Sequence, residues 1–173
     1  MKKAACYAVA ATIAVMLLQA AAFGAVTVTW DGGSVELTLI ANPDASNEYW
    51  WPQVWYGELP ISMTSLNSLV FTGTGNFNDD NSTTVNVVRL KQVVTNNTTY
   101  NWGDFHIRLS GGMFYKKWIV QNGWSASLLQ HQMNYYMNTG SPVAPGGIFT
   151  DGVVFTVATD SSGNGSFTLT KWR

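Results

Sequence analysis

The chain has 173 residues, of which 46% are hydrophobic, 13% aromatic and only 11% charged, and its formal net charge is −1. The scarcity of Lys and Arg and the absence of a basic stripe exclude the usual classes of nucleic-acid-binding protein. A single cysteine, Cys6, excludes a disulfide framework, and two histidines, His106 and His131, are too few for the usual zinc sites, so we expect neither cofactor nor metal.

Residues 1–24 have the three parts of a secretory signal peptide. Lys2-Lys3 forms a basic start, residues 4–18 are an uncharged apolar run, and Ala22-Phe23-Gly24 offers small residues for cleavage. The apolar run is short for a membrane span and no cluster of charges follows it. We therefore favour a cleaved signal peptide over the alternative of a retained membrane anchor.

The predicted mature chain, residues 25–173, keeps seven basic and ten acidic residues. A chain of this length forms one domain that buries about two-thirds of its unfolded surface. Val, Thr and aromatic residues favour strands, whereas Asn and Gly favour turns. We expect a secreted or cell-surface monomer of one domain, with no stable membrane anchor in the mature chain.

Strand signals begin at Val26. Apolar residues at positions 26, 28 and 30 alternate with threonine, Asp31-Gly32 supplies a turn, and the alternation resumes from Val35 to Leu39. This pattern predicts a β-hairpin.

The segment 44–60 has little strand character, and we predict a loop there. It holds an aromatic cluster, Tyr49 to Tyr56, whose indole rings can stack on the apolar faces of sugars. The alternative is that these rings only pack against the core, although adjacent Trp50 and Trp51 in an extended chain cannot both point inward. At least one of the three tryptophans should therefore be exposed. The candidate ligand-binding residues are Trp50, Trp51, Trp55 and Tyr56.

Further strand-like runs follow with short spacing. They cover residues 66–72, 84–95, 102–110, 113–121, 152–159 and 166–172. Within one run, Phe105, Ile107 and Leu109 alternate with polar residues that include His106, which predicts one core face and one wet face. Val87-Val88 breaks this alternation and indicates a bulge or a strand that is buried on both sides.

Residues 125–137 fit either a helix or a strand by periodicity, and we favour a strand because the rest of the chain is β-like. The whole pattern contains about eight to ten short strands and no long helix. It predicts an all-β fold, an antiparallel β-sandwich of immunoglobulin-like or jelly-roll-like form.

Three stretches, Val87–Leu109, Ser141–Phe155 and Gly163–Trp172, resemble secreted bacterial proteins of the PEP-CTERM, exosortase-associated type. The resemblance implies an exported β-sandwich of a surface or matrix protein and carries no known catalytic residue. Such proteins usually end in a Pro-Glu-Pro motif, an apolar span and an Arg cluster, whereas this sequence stops at Arg173, so we expect either a freely released protein or a truncated gene model. The matching residues are Asn96, Asn97, Thr98, Trp102, Asp104, Phe105, His106, Pro145, Gly146, Gly147 and Phe149.

Motifs for hydrolysis are incomplete. Residues 123–127, Gly-Trp-Ser-Ala-Ser, lack the final glycine of a nucleophile elbow. Glu48, Glu58 and Asp104 lie beside aromatic residues, but their positions in the sequence do not pair them as a glycosidase would require.

Motifs for cation binding are incomplete as well. Residues 160–165 imitate the first half of a calcium loop, yet Lys171 occupies the position of its bidentate acid, so we favour a hairpin turn. Residues 78–81, Asn-Asp-Asp-Asn, could hold a hard cation but are more typical of a solvated turn.

These observations predict a non-enzymatic protein of the cell surface or extracellular matrix with a structural or adhesive role. The alternative is a carbohydrate-binding module that uses the aromatic cluster, with extracellular polysaccharide or other matrix components as partner. A secreted hydrolase is a more distant alternative.

Overall fold

A computed structural model describes residues 24–44, 51–79 and 83–173. The predicted signal peptide up to Phe23, and Trp50, lie outside the described residues. The described residues form eleven strands and no helix, so none of them builds a helix that could cross a membrane. The strands are β1 (Val26–Trp30), β2 (Gly33–Ala41), β3 (Gln53–Met63), β4 (Leu69–Asn76), β5 (Val87–Asn96), β6 (Asp104–Ser110), β7 (Gly112–Ile119), β8 (Trp124–Leu128), β9 (Gln132–Met137), β10 (Ile148–Val157) and β11 (Asn164–Trp172).

The strands belong to one sheet, in the order β7-β10-β5-β3-β2-β1-β4-β11-β6-β9-β8. All neighbours are antiparallel except β3 and β5, which run parallel. The predicted all-β class and the predominance of antiparallel pairing are confirmed. The two separate sheets of the predicted β-sandwich are not found, because the described strands make a single sheet.

The sheet folds over on itself at β2. The first half of this strand pairs with β1 and its second half, from Thr38, pairs with β3. The two halves of the sheet therefore face each other, and Phe155 of β10 meets Phe167 of β11 with ring centroids 4.8 Å apart. At the far seam, the Phe114 amide donates a hydrogen bond to the Gln130 carbonyl at 2.9 Å, so the sheet is nearly closed around one core.

The core contains the residues that alternation pointed inward. Phe105 and Ile107 are completely buried and Leu109 is nearly so. Val87 and Val88 are both fully buried, on opposite faces of β5, which confirms the prediction of a strand covered on both sides. The predicted hairpin of β1 and β2 is confirmed as well, with Trp30 paired to Gly33 across the turn.

The prediction of a loop throughout residues 44–60 is wrong from Gln53 onward, where β3 begins. Gly57 and Pro60 are unfavourable inside strands, so the sequence pattern did not indicate β3. A Cβ at Gly57 would lie 2.4 Å from Leu37 Cδ2, so glycine makes room for a core side chain. Because β2 pairs with β3 only as far as Tyr56, the edge on that side is unpaired at Pro60, where proline is tolerated.

Residues 125–137 are confirmed as strand and belong to β8 and β9, which are joined by a short turn. Residues 160–165 form a tight turn across which only Thr159 and Gly165 pair, so the predicted hairpin does not continue into β10 and β11. In this turn Asp160 Oδ1 accepts hydrogen bonds from the amides of Ser162 and Asn164 at 2.8 and 2.9 Å. These bonds lower the pKa of the Asp160 carboxyl.

His106 points away from the core, as predicted, but its side chain is less exposed than expected for a residue on a solvent-facing strand face. Its side chain retains 17% of its exposure. Its Nδ1 atom lies 2.8 Å from Asn134 Oδ1, and its ring stacks on Trp172 at 5.4 Å between centroids. The outer face of this half of the sheet is thus partly covered by its own side chains.

Candidate functional site

An aromatic surface lies on the outer face of the half-sheet made by β2, β3, β5, β10 and β7. Two of the four predicted ligand-binding residues, Trp51 and Tyr56, lie there and are half-buried. Two further aromatic residues from β7, Tyr115 and Trp118, join them. We call these four residues the aromatic patch.

Trp55 lies on the opposite side of the sheet from the patch. Its side chain is only 3% exposed and packs edge-on against Phe77, with ring centroids 6.2 Å apart. For Trp55, therefore, the structure agrees with the packing alternative. Trp50 lies outside the described residues, so of the predicted tryptophans only Trp51 is placed on the outer surface.

The two β7 residues of the patch are the two that the strand pairing skips. Val154 pairs with Lys116 and Phe155 with Phe114, which leaves Tyr115 without a partner position on β10. Gly152 pairs with Ile119 and Val153 with Lys117, which likewise leaves out Trp118. Bulges of this kind turn a side chain away from the alternating pattern. Alternation from the inward-facing Phe114 already directs Tyr115 outward. The irregularity at Tyr115 then changes the parity of the strand, so that Trp118 lies on the same outer face.

Trp118 lies across the sheet because β10 has a glycine beneath it. A Cβ on Gly152 would approach Trp118 Cε3 to 2.9 Å. The indole reaches β5, where the guanidinium of Arg89 lies 3.8 Å from the ring centroid, and it meets Tyr56 of β3 edge-on at 6.0 Å. One side chain thus connects four strands, which fixes the ring in place.

A small apolar cluster supports the patch from below. Val54, Val87 and Val154, from three neighbouring strands, are buried on this outer face, and Trp51 and Trp118 pack against them. Because the support consists of branched side chains on paired strands, the rings above it rest on a stiff surface. This cluster is separate from the main core.

Trp51 is held by hydrogen bonds to the chain rather than by burial. The Asn42 side-chain amide donates to the Trp51 carbonyl at 3.0 Å, and the Asn42 backbone amide donates to the Pro52 carbonyl at 2.8 Å. The Trp51 ring then meets Tyr115 edge-on, with centroids 4.7 Å apart. Tyr115 is 44% exposed, so this corner of the patch is open to solvent.

A charged network borders the rings. Asp44 Oδ2 accepts hydrogen bonds from Lys116 Nζ at 2.8 Å and from Arg89 Nη1 at 2.9 Å. The hydrogen bond from Lys116 and the nearby charge of Arg89 hold the pKa of the Asp44 carboxyl below its usual value. Among the described residues, one carboxylate is thus shared by two cations.

A second ion pair lies further along the same face, where Lys91 Nζ donates to Glu58 Oε1 at 2.9 Å. This hydrogen bond raises the pKa of Lys91. Aromatic faces bordered by ammonium, guanidinium and carboxylate groups match the chemistry of a sugar, which offers apolar C–H faces and hydroxyl groups.

Sequence reasoning missed Tyr115 and Trp118. Both lie within the predicted strand 113–121, but simple alternation gives Trp118 the same parity as the core residue Phe114. No residue of β7 itself marks the two bulges, because they follow from pairing with β10. Gly152 was the only available signal, since a glycine inside a strand indicates a bulge or a close approach.

The candidates for hydrolysis are not brought together among the described residues. Glu58 is paired with Lys91 on β3, whereas Asp104 lies beside His106 on β6, at 3.4 Å between Oδ2 and Nε2. Glu48 lies outside the described residues. Ser125 belongs to a strand that turns into another strand, not to the strand-to-helix turn of a nucleophile elbow.

No protein-family model and no curated protein matches the chain in sequence. Among solved structures, a chitinase from Bacillus thuringiensis aligns with 77% of this chain and 22% of its own, at 10% identity and a TM-score of 0.31. The pilus backbone protein of Streptococcus pneumoniae aligns with 86% of this chain and 27% of its own, at 8% identity and a TM-score of 0.21. The chain thus spans about a quarter of the length of each of these neighbours.

Proposed function

We propose that the protein is an exported, non-enzymatic component of the cell surface or extracellular matrix that adheres to polysaccharide through the aromatic patch. The observation that carries this proposal is the irregular register of β7, which places Trp118 on the outer face beside Tyr115, Trp51 and Tyr56. Regular alternation from Phe114 would have directed the Trp118 ring into the core.

The rigid support of the aromatic patch and the charged group at its border favour a role in adhesion. The rings of the patch rest on buried valines, so little conformational entropy is lost when a sugar stacks on them. The ammonium of Lys116 borders the rings and is directed by Asp44, whereas the Arg89 side chain is only 7% exposed and supports the Trp118 ring. An ammonium group can donate hydrogen bonds to hydroxyl or carboxylate oxygens of a polysaccharide.

Export is part of the proposal and rests on the sequence of residues 1–24. Intact-mass measurement of the protein recovered outside the cytoplasm tests it. Loss of the first 24 or so residues is expected, and a mass that retains Met1 to Phe23 would contradict export through a cleaved signal.

Affinity electrophoresis tests the adhesive role. In gels that contain a neutral glucan or an acidic polysaccharide, we expect at least one to retard the parent protein. Tyr115→Ala should weaken retention about tenfold, which corresponds to roughly 1.4 kcal/mol. Trp51→Ala should weaken it similarly.

Tyr136→Ala is the matched control. Tyr136 is a strand residue that is 45% exposed, against 44% for Tyr115, but it contacts His106 on β6, outside the patch. Both tyrosine variants should keep the free energy of unfolding within about 0.5 kcal/mol of the parent, as surface substitutions do. If no polysaccharide retards the stable parent protein, the adhesive role is wrong and a purely structural role is left.

A further inference from the structure

A lysine and an aspartate meet inside the core of the folded sheet. Lys171 of β11 and Asp151 of β10 each have fully buried side chains, and Lys171 Nζ lies 3.3 Å from Asp151 Oδ2. The two strands are not neighbours in the sheet, since β10 pairs with β5 and β7 whereas β11 pairs with β4 and β6. The pair therefore spans the two halves that face each other.

The surroundings of the pair are mostly apolar. The Nζ atom lies 4.9 Å from the ring centroid of Phe105 and 5.9 Å from that of Phe71. The other carboxyl oxygen of Asp151 has no hydrogen-bond partner among the described residues, and the same holds for the Tyr135 hydroxyl and the side-chain amide of Gln92. Gln92 lies directly opposite Asp151 on β5.

A charged pair is poorly stabilised at this site. Removing an ammonium and a carboxylate from water costs several kcal/mol each, and the attraction offsets this loss only when further hydrogen bonds complete the site. Burial lowers the pKa of Lys171 to about 8 and raises the pKa of Asp151. Both changes favour the neutral amine and the neutral carboxylic acid, which are the reactants of amide formation.

We propose that Lys171 and Asp151 condense into an intramolecular isopeptide bond. The lone pair of Lys171 Nζ attacks the Asp151 carboxyl carbon, and a carbon–nitrogen bond forms. The bond from that carbon to its hydroxyl breaks, and the hydroxyl leaves with a proton from Nζ as one water molecule. No oxidant, reductant or cofactor takes part.

Two other pairs in the same molecule serve as internal controls. Lys116 and Asp44 are closer, at 2.8 Å, and Lys91 and Glu58 are at 2.9 Å. Their side chains are partly exposed, and contact with water stabilises charged ammonium and carboxylate groups. A protonated amine has no lone pair for attack, and we expect no bond at either pair.

Mass spectrometry of the purified mature protein tests the proposal. The intact mass should be lower than that of the sequence by one water molecule. After unfolding and cleavage behind Phe155, which lies between the two residues, the fragment with Asp151 and the fragment with Lys171 should stay joined. If the folded protein yields separate fragments, the proposal is overturned.

Variants and the joined fragments distinguish the isopeptide bond from other reactions that release one water molecule. Asp151 precedes Gly152, and a cyclic imide at that step would also remove one water, but it would not join the fragments. Lys171→Arg should abolish the joined product, whereas Lys116→Arg and Lys91→Arg should retain it fully. Joined fragments in Lys171→Arg would overturn the assignment.

Discussion

Neighbouring residues on one strand have opposite roles, as Phe105 and His106 show. The ring of Phe105 contacts Phe149 at 5.0 Å between centroids, inside the core. His106 lies on the outer face, between Trp172 and Asn134. One side chain supplies buried apolar area, whereas the other contributes a hydrogen bond and a stacking contact near the surface.

Phe105→Ala should lower the free energy of unfolding by about 3 to 5 kcal/mol, because it removes a ring from a closely packed core. His106→Ala should lower it by about 1 kcal/mol, the usual contribution of one hydrogen bond. Urea unfolding of the two variants measures both. Equal losses would mean that the outer face contributes as much as the core.

Gly152 decides where the Trp118 ring lies. Gly152→Ala would force a methyl group against Trp118 and Ile119, whose nearest atoms lie at 2.9 and 2.8 Å from the added Cβ. We expect a loss of about 1 to 3 kcal/mol of stability, as for other overpacked sites, and weaker retention by polysaccharide in affinity gels.

Gly103→Ala is the control for Gly152→Ala, because a Cβ at Gly103 meets nothing within 4 Å. It should leave both the stability and the retention unchanged. Equal retention by the two variants would show that the position of Trp118 does not matter for adhesion.

At the scale of elements, Asp44 joins the end of β2 to β5 and β7 through Arg89 and Lys116. Its pKa is lowered from 3.8 in the folded protein, so the ionised form is the one that folding favours. This contribution to stability is present above the unfolded pKa and is lost as the pH falls through the lower folded pKa.

Melting temperatures between about pH 2 and pH 6 test this linkage. The parent protein should lose stability below about pH 4, and Asp44→Asn should remove part of that dependence. Glu58→Gln changes the other ion pair of the same face and serves as the comparison. An identical pH dependence in the parent and Asp44→Asn would show that the network contributes nothing to stability.

Elements differ in how far the sequence predicts them. The hairpin of β1 and β2 follows from strict alternation around Asp31-Gly32, which are local signals. The sequence did not predict β3, because Gly57 and Pro60 are both unfavourable inside a strand except at a close approach or an unpaired edge. At Gly57 the close approach of Leu37 from β2 leaves no room for a side chain. At Pro60 the strand edge toward β2 is unpaired, so the missing amide hydrogen is tolerated.

At the scale of the whole molecule, one core holds both halves of the sheet together. The buried cluster includes Phe155 and Val153 from one half and Phe167 and Leu169 from the other. Neither half can keep its apolar face covered when the other is removed, so the two should unfold together.

We expect a single thermal transition that circular dichroism and tryptophan fluorescence follow at the same temperature. Chelator and reductant should shift it by less than about 5 °C, which is roughly 1 kcal/mol for a domain of this size. Two resolved transitions would contradict a common core, and a larger shift with chelator would point to a bound metal.

The sequence by itself determined the β class, most strand positions and the inward side of regularly alternating strands such as β6, because alternation and turn residues act over a few neighbours. The tertiary structure alone decided that the sheet curls into one nearly closed body, that β3 and β5 run parallel, and that Lys171 meets Asp151. It also decided the aromatic patch, since the bulges of β7 exist only in register with β10. These features depend on contacts between residues far apart in the chain, and no local pattern encodes the pairing of strands that are not joined by a short turn.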